Sequence, residues 1–346
     1  MKTLGPLIGI MTARKADGSI AGNGPLFIAL QKKLISLDGI SFVFTPEEAE
    51  TDLITGYIFS PEQNRWIKEK FRYPDLVYNR IPFRRSEKGE KSQQFLTTLK
   101  EKNIPFFNPC FIDKYELYEM LKNHPILQSF LPQTCLIQRK NDLSIFLSKH
   151  KSLYLKPAQS SKGKGIFRLK QISSSKLQLD GIKQQEFHTS LDHFWETWGE
   201  ELLEKNYLAQ AEIKSAKYQG NRFDFRILAH ADDGGYMLTG VGIRQSQGQE
   251  ITTHIPAGGR LLPYKLLQSE KHDYFIQTIV PEIGKALSDR FGYFGEFSID
   301  AGVSTMGQYY IYEVNSKPMS FDEIEIEEKK FEQLCRLFLQ LSDYKK

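Results

Sequence analysis

The segment 309–318, YYIYEVNSKP, ends an aromatic-rich run with two residues that could bind a metal ion, Glu313 and Asn315. Side chains two residues apart in a strand project from the same face. A regular strand would therefore place four side chains together: Tyr309, Ile311, Glu313 and Asn315. A carboxylate and an amide oxygen are hard donors that suit Mg²⁺, with water and substrate phosphates as its other ligands. The segment predicts one part of a magnesium site; the alternative is that Glu313 pairs with a lysine or caps a loop.

A second carboxylate for this site is Asp300, at the end of the strand-like segment GEFSID. The connecting residues AGVSTMG contain Gly302 and Gly307 and fit a hairpin turn, which would make the two strands antiparallel neighbours. Two carboxylates and an amide at adjacent strand ends can hold one or two ions against a triphosphate. Glu296 and Ser304 flank the same hairpin and are weaker candidates.

A candidate phosphate-binding loop, 160–165, lies within the segment YLKPAQSSKGKGIFRL. Its glycines allow backbone N–H groups close to an anion, and its serines and lysines can bind phosphate oxygens. Lys156 lies on the preceding predicted strand, which gives its ammonium group a fixed direction. The loop lies between strands and matches neither the Walker nor the Rossmann pattern. The alternative is a mobile surface hairpin whose lysines are solvated.

Cationic groups follow in the last third of the chain. Asp224 and Arg226 share a face of the predicted strand FDFRILAH, and Arg244 lies in GVGIRQS. An arginine can clamp phosphate or carboxylate oxygens with two parallel hydrogen bonds, although each arginine alone also fits a structural salt bridge. His254, in ITTHIPAGGR, fits either a ligand contact or a buried histidine with satisfied hydrogen bonds.

Three blocks that differ in their pattern of strand-like and helix-like segments must position these residues: 1–112, 113–212 and 213–346. In the first, the strand-like runs LIGIM, ISFVF, DLVYN and IPFFN alternate with the helical patterns LFIALQKKLIS and SQQFLTTLKEK, which predicts a small parallel α/β domain. The second begins with a helical segment, DKYELYEMLKNHP, and contains the hairpin SLYLKPA to GIFRLK. The third has long strands, a preceding helix and a closing helix, FEQLCRLFLQL, which indicates an α+β arrangement.

Composition excludes several classes of protein. The chain has 346 residues, 40% hydrophobic and 25% charged, which is ordinary for a folded globular protein. A net charge of +4, from 46 basic and 42 acidic residues, does not indicate nucleic-acid binding. The three cysteines form no C-x-x-C pair, and this usage predicts a reducing, cytoplasmic location without a disulfide framework. No apolar run approaches the ~20 residues of a membrane span, and residues 7–11 read as a strand rather than as part of a secretory signal.

The order of these signals resembles the ATP-grasp superfamily over about residues 110–320. The motifs are DK opening a helix, KPAQSSKGKG, QAEI, DFR, a later arginine, GG, an aspartate and EVNSKP. The resemblance implies an ATP-grasp fold that binds ATP and Mg²⁺. It assigns the metal-binding role to Asp300, Glu313 and Asn315.

The resemblance also assigns roles in ATP binding and catalysis. The two phosphate-contacting lysines match Lys114 and Lys156. The flexible lid over the triphosphate matches Ser160, Ser161, Lys162, Gly163, Lys164 and Gly165. The hinge beside adenine and ribose matches Gln210, Ala211, Glu212 and Ile213. The positions that contact the γ-phosphate or acyl-phosphate match Arg226 and Arg244.

A closer likeness is to the endospore coat-associated YheC/YheD-like branch, through PDLVYNRIPFR, DKYELYEMLKNHP, LPQT and EVNSKP. It covers nearly the whole chain, with a pre-ATP-grasp-like domain at the N-terminus. There are two departures from related ligases. Ala211 stands where many carry a hinge glutamate, with Glu212 one residue later. His254 stands where ligases of the glutamate-adding kind usually carry an asparagine.

The resemblance implies an ATP- and Mg²⁺-dependent ligase that joins an unidentified carboxylate to an amine or related nucleophile through an acyl-phosphate. Acceptor pockets in this fold lie mostly on the first block, where Arg80, Arg84 and Arg85 are candidates for a carboxylate contact or plain surface arginines. The alternatives are a non-catalytic ATP-binding structural protein of the spore coat and a phosphotransferase with a stable phosphorylated product. Spore coat proteins are the candidate partners, and the expected location is the cytoplasm or the spore coat.

Overall fold

Residues 7–107 build a mixed six-stranded sheet. The computed structural model describes residues 5–160, 164–182, 184–247, 253 and 258–343. The strands of this first sheet are β1 (Leu7–Met11), β2 (Ile40–Phe44), β3 (Leu53–Ser60), β4 (Arg65–Arg72), β5 (Leu76–Asn79) and β6 (Phe106–Phe107), in the spatial order β4-β3-β2-β1-β5-β6. The helices of this region are α1 (Gly24–Ile35), α2 (Arg84–Glu87) and α3 (Glu90–Glu101).

The parallel pairing predicted for this region is confirmed for β2, β1, β5 and β6. The antiparallel strands β3 and β4 extend the sheet beyond β2, and the sequence did not predict them. The reason is that β4, RWIKEKFR, is largely exposed at the sheet edge and carries charges where a half-buried strand would carry apolar residues.

The second sheet lies in residues 134–211 and contains the predicted hairpin. Its strands are β7 (Thr134–Leu136), β8 (Ser152–Pro157), β9 (Phe167–Ser173), β10 (Lys176–Asp180), β11 (Gln185–His188) and β12 (Tyr207–Ala211), in the order β11-β10-β9-β8-β12-β7. β8 and β9 pair antiparallel, which confirms the hairpin. The helices of residues 113–212 are α4 (Lys114–Leu121), α5 (Lys140–His150) and α6 (Leu191–Glu204).

The third sheet carries both predicted catalytic arginines and all three predicted metal ligands. Its strands are β13 (Lys217–Tyr218), β14 (Asn221–Asp232), β15 (Gly235–Gln245), β16 (Arg260–Leu262), β17 (Glu296–Val303) and β18 (Tyr309–Asn315). The order is β16-β15-β14-β17-β18, and β13 pairs with β14. Among the described residues of this region, the α-helices are α7 (Glu270–Phe291) and α8 (Ile324–Leu341).

A β-bulge in β18 places some of its side chains on the face opposite to the predicted one. Asp300 pairs with Glu313, but the next residue, Ala301, pairs with Ile311, so Tyr312 is an extra residue in its strand. Ile311 is consequently buried in the core, 3% exposed, with Ala301. The prediction that Tyr309 and Ile311 share the face of Glu313 is wrong, because one inserted residue reverses the alternation.

The hydrophobic cores cross the three predicted blocks. Leu334 and Phe338 of α8 pack with Ile10 of β1 and Leu30 of α1. In the same way, residues of α4 pack into the core of the third sheet with Phe225. Each predicted block therefore shares core side chains with a neighbouring block. The boundaries at 112 and 212 stay predictions.

Two further expectations concern the cysteines and the membrane spans. Cys110, Cys135 and Cys335 are free thiols. No helix in the described part of the chain combines the length and the apolarity that crossing a bilayer requires.

Candidate functional site

A cleft between the second and third sheets brings together residues far apart in sequence. Eight of its lining residues belong to the predicted site: Lys156, Gln210, Ala211, Ile213, Arg226, Arg244, Asp300 and Glu313. They come from β8, β12, β14, β15, β17, β18 and the connection after β12. A neighbouring pocket is lined by Lys114 and shares Lys156, Gln210 and Glu313 with the cleft. The predicted lysines, arginines and carboxylates therefore meet at one place.

The acidic end of the cleft is built by the pairing of β17 with β18. Asp300 and Glu313 are direct partners in the register, and Asn315 pairs with Ser298 one step away on the same face. The Asn315 Nδ2 donates to Asp300 Oδ2 over 3.3 Å. Within the described residues no group of three or more His, Cys, Asp or Glu side chains is arranged to hold a metal. The predicted metal set consequently depends on the amide oxygen of Asn315 as its third donor.

The two weaker candidates of this hairpin, and two arginines of the first block, Arg80 and Arg84, have other contacts. Glu296 is fully buried and accepts hydrogen bonds from Tyr78 and, over 3.0 Å, from Arg80. Arg84 donates to the carbonyl oxygen of Ile112 over 2.8 Å. The Oγ of Ser304 accepts from backbone N–H groups within its own turn.

Lys114 connects the acidic end to the loop after β8. Asp113 caps α4 by accepting from the Tyr115 N–H over 2.8 Å, which leaves Lys114 as the first helical residue. The Lys114 Nζ lies 3.0 Å from Glu313 Oε1 and donates to the Ser160 carbonyl oxygen over 2.8 Å. Glu313 therefore does pair with a lysine, as the alternative interpretation holds, and that lysine is itself a predicted phosphate contact.

Lys156 is a half-buried cation on β8 of the second sheet. Its Nζ donates to Gln210 Oε1 over 2.6 Å, and the Gln210 amide nitrogen donates to Thr134 Oγ1 over 3.2 Å. Burial lowers the pKa of Lys156 to about 8, although the nearby carboxylate of Glu313 acts in the opposite direction. At neutral pH this lysine is a charged group with little solvation of its own. Such a group gains strongly from an anion placed beside it.

The two arginines lie under the segment that follows β18. Arg226 is the register partner of Asp300, donates to the Met319 carbonyl oxygen over 3.3 Å, and has its guanidinium 4.6 Å from the Phe321 ring centre. Arg244 has its Nη2 3.8 Å from Asp322 Oδ2. Burial, and then the neighbouring Arg226, lower the pKa of Arg244. Two like charges held close together favour an anion between them.

The predicted lid and hinge are only partly brought to the cleft. Ser160, Lys164 and Gly165 line a separate pocket formed with residues 204–207. Glu212 does not line the cleft, and its carboxylate lies 3.2 Å from Arg168. The remaining lid predictions and the histidine lie outside the described residues: Ser161, Lys162, Gly163 and His254.

A polar group beside the arginines was not assigned a role from the sequence. Arg222 donates to Tyr154 OH over 3.2 Å and to Asp224 Oδ2 over 2.9 Å, and Thr253 Oγ1 donates to the same carboxylate oxygen over 2.7 Å. Asp224 is 8% exposed, and its other oxygen, Oδ1, has no hydrogen-bond partner among the described residues. The alternation in RFDFR, which puts Arg222, Asp224 and Arg226 on one strand face, was the available signal.

Comparisons with known proteins agree with this architecture. A curated relative, the endospore coat-associated protein YheD of Bacillus subtilis (strain 168), is 25% identical over 335 residues, 91% of this chain and 73% of the relative. The crystal structure of D-alanyl-alanine synthetase A from Vibrio cholerae O1 biovar eltor superposes with a TM-score of 0.56 at 14% identity, over 99% of this chain and 100% of that one. The ATP-grasp ligase PsnB, complexed with minimal precursor, Mg and ADP, gives a TM-score of 0.56 at 12% identity, over 97% of each chain.

The structural likeness shows that the chain has the fold of ATP-grasp ligases, with three sheets in the arrangement described above. The family described as YheC/D like ATP-grasp matches residues 103–344, which is more than half of the chain. This chain therefore belongs to the YheC/D-like ATP-grasp family.

Proposed function

We propose that this protein is an ATP- and Mg²⁺-dependent ligase that joins a carboxylate to an amine, or to a related nucleophile, through an acyl-phosphate. The observation that carries the proposal is the cleft itself, in which the cations Lys156, Arg226 and Arg244 face the carboxylates Asp300 and Glu313. Opposed charges of this kind suit a nucleoside triphosphate with its metal ion, because phosphoryl transfer depends chiefly on positioning and charge stabilisation.

The lysines are proposed to hold the phosphates. Lys114 and Lys156 approach the acidic end from two different elements, the first turn of α4 and strand β8. Lys156 has a depressed pKa because it is buried, so an adjacent phosphate would stabilise its charged form.

Adenine is proposed to lie beside the hinge, residues 210–213, with the loop 160–165 as its lid. The Asp224 Oδ1, buried and without a described partner, is suited to accept a hydrogen bond from a ligand hydroxyl or ammonium group.

The residues at the strand ends fit a magnesium ion. Asp300, Glu313 and Asn315 supply two carboxylates and an amide oxygen on one face, which is the oxygen-only donor set that Mg²⁺ prefers. When bound, the ion would neutralise charge on the β- and γ-phosphates. Glu313 currently contacts Lys114 over 3.0 Å, so its carboxylate would be shared between that lysine and the ion.

The chemistry follows in two displacement steps. An oxygen of the substrate carboxylate attacks the γ-phosphorus, ADP leaves, and an acyl-phosphate forms. The amine nitrogen then attacks the acyl carbon, inorganic phosphate leaves, and the amine loses a proton. Arg226 and Arg244 are proposed to bind the transferring phosphoryl group and the acyl-phosphate, and closure of the lid would keep water away from that labile intermediate.

The test is the substitution Glu313→Gln, which removes a carboxylate charge but keeps the shape of the side chain. Magnesium-dependent release of ADP should fall at least 10²–10³-fold, as is typical when one oriented electrostatic contact is lost. Glu332→Gln is the matched control, because Glu332 lies on the surface and contacts only Lys33 in the described structure. If Glu313→Gln turns over ATP like the parent protein, the metal assignment is wrong.

A second candidate function is that of an ATP-binding structural protein of the spore coat, without ligation. The name of the relative YheD, an endospore coat-associated protein, favours it. Release of ADP that depends on an added acid or peptide would support the ligase. Tight binding of ATP without acceptor-dependent hydrolysis would support the structural function, with coat proteins as partners.

A further inference from the structure

A buried lysine follows the proposed metal-binding asparagine by two residues. The Lys317 side chain is only 4% exposed, and its ammonium group lies in a cage built by residues of the first block. It donates to Asn79 Oδ1 over 3.1 Å, to the Ile81 carbonyl oxygen over 3.2 Å and to Glu87 Oε1. Its Nζ also lies 4.5 Å from the centre of the Phe111 ring. None of these partners lines the cleft.

The anion in this cage is held as firmly as the cation. The Glu87 side chain is 5% exposed. Its Oε2 accepts from the Phe111 N–H over 2.6 Å, and its Oε1 accepts from Asn79 Nδ2 over 3.3 Å. Removing one member of a buried ion pair leaves the other charge without compensation, which is costly. The position of Lys317 is therefore fixed by the first block rather than by the third sheet, whose strand β18 ends two residues before it.

A second buried contact fixes the residue between the asparagine and the lysine. Asn108, fully buried after β6, donates to the Ser316 carbonyl oxygen. Its Oδ1 accepts from the N–H groups of Gly295, over 2.9 Å, and Glu296, over 3.2 Å, where β17 begins. One side chain of the first block thus ties the end of β18 to the start of β17.

We infer that Lys317 is a positioning residue for the proposed magnesium site. Two residues of chain span at most about 7 Å, so the cage that holds Lys317 also limits where Asn315 can lie relative to Asp300. The inference rests on the proposed function, since it concerns the same metal-binding residues. It adds that this cage of first-block residues, none of which lines the cleft, sets the affinity for the cation.

The experiment measures binding of the non-hydrolysable analogue AMP-PNP by calorimetry over a series of Mg²⁺ concentrations. Lys317→Met should raise the half-saturating Mg²⁺ concentration about tenfold or more, while binding of AMP-PNP without Mg²⁺ stays as in the parent. Lys330→Met is the matched control, because Lys330 is fully buried as well but pairs with Glu327 in α8. It should lose stability without a change in Mg²⁺ dependence.

A second variant covers the case in which Lys317→Met does not fold. The double change Lys317→Met with Glu87→Gln leaves no lone charge in the cage and keeps an acceptor for Phe111. It should fold and still show the raised Mg²⁺ requirement. In the nucleotide-free protein, amide exchange at residues 312–316 should be faster in the Lys317 variants than in Lys330→Met.

The outcomes separate the two proposals. If the parent binds AMP-PNP with a clear Mg²⁺ dependence and the Lys317 variants share that dependence, the positioning role is wrong and the proposed function stands. If the parent shows no Mg²⁺-dependent binding, the proposed function fails and the inference falls with it.

Discussion

Under the proposed function, the desolvated ammonium group of Lys156 should make nucleotide affinity sensitive to pH in a defined direction. Its pKa, lowered to about 8 by burial, means that the free protein carries a charged ammonium at pH 7 and a mostly neutral amine at pH 9. The perturbation is therefore a change of pH from 7 to 9. A bound phosphate would favour the charged form, so only the protonated fraction of the free protein is ready to bind.

The size of the effect follows from that fraction. With a pKa of about 8, roughly nine molecules in ten are protonated at pH 7 and roughly one in ten at pH 9. Apparent affinity for the triphosphate should fall about tenfold between the two, or about 1.4 kcal/mol. The sign is fixed because loss of a proton removes a positive charge from the site, so affinity falls as pH rises.

The assay is calorimetric titration with AMP-PNP at saturating Mg²⁺ and at pH 7, 8 and 9. Lys156→Met should bind more weakly at pH 7 but lose little further affinity up to pH 9. This variant is the necessary control, because burial also lowers the pKa of Lys317 to about 8. Equal pH slopes in the parent and in Lys156→Met, or a parent affinity that does not change, would refute the reasoning.

Two further predictions concern stability. Gly284→Ala places a methyl group 2.2 Å from the Tyr236 ring. It should lower the free energy of unfolding by roughly 1–3 kcal/mol in urea titrations. Gly24→Ala is the control: its methyl group would have no heavy atom within 4 Å beyond its chain neighbours, so the free energy of unfolding should change by less than about 0.5 kcal/mol. Burial lowers the pKa of His230 to about 4, below its unfolded value of about 6.5, so the unfolded state binds more protons in that window and stability falls as pH decreases. Between pH 6.5 and 4 the free energy of unfolding of the parent should fall by roughly 3 kcal/mol more than that of His230→Gln, measured in the same titrations. Equal falls would contradict the lowered pKa of His230.

Local patterns predicted many of the elements in this fold. β1 and β2 were recognised as short apolar runs, and the hairpin of β17 and β18 followed from the glycines between two strand-like segments. The bulge at Tyr312 could not be predicted, because the two-residue alternation carries no sign of one inserted residue until the partner strand is known. The side chains it turned over, Tyr309 and Ile311, belong to the core.

Long-range partners were the other limit. The apolar stripe of α8 predicts that the helix is covered but not that the first sheet covers it. Glu212 has the right charge for a ribose contact, yet it pairs with Arg168 of the predicted strand GIFRLK, and nothing in that strand's pattern indicates the pairing. Lys317 belongs to the motif EVNSKP, but its cage is assembled from residues more than 200 positions earlier in the chain.

The packing of α8 on the first sheet has a consequence for how the chain is made. Side chains such as Ile8, Leu26 and Leu34 are synthesised early, but the helix that shields them from water, 324–341, leaves the ribosome after both other sheets. Their shielding requires contacts across most of the chain, such as that of Lys33 with Glu332, which lie 299 positions apart. The entropic penalty of closing such a loop grows with its length. Until α8 is made, these apolar side chains lack its cover, and the nascent chain is open to non-native association at this domain.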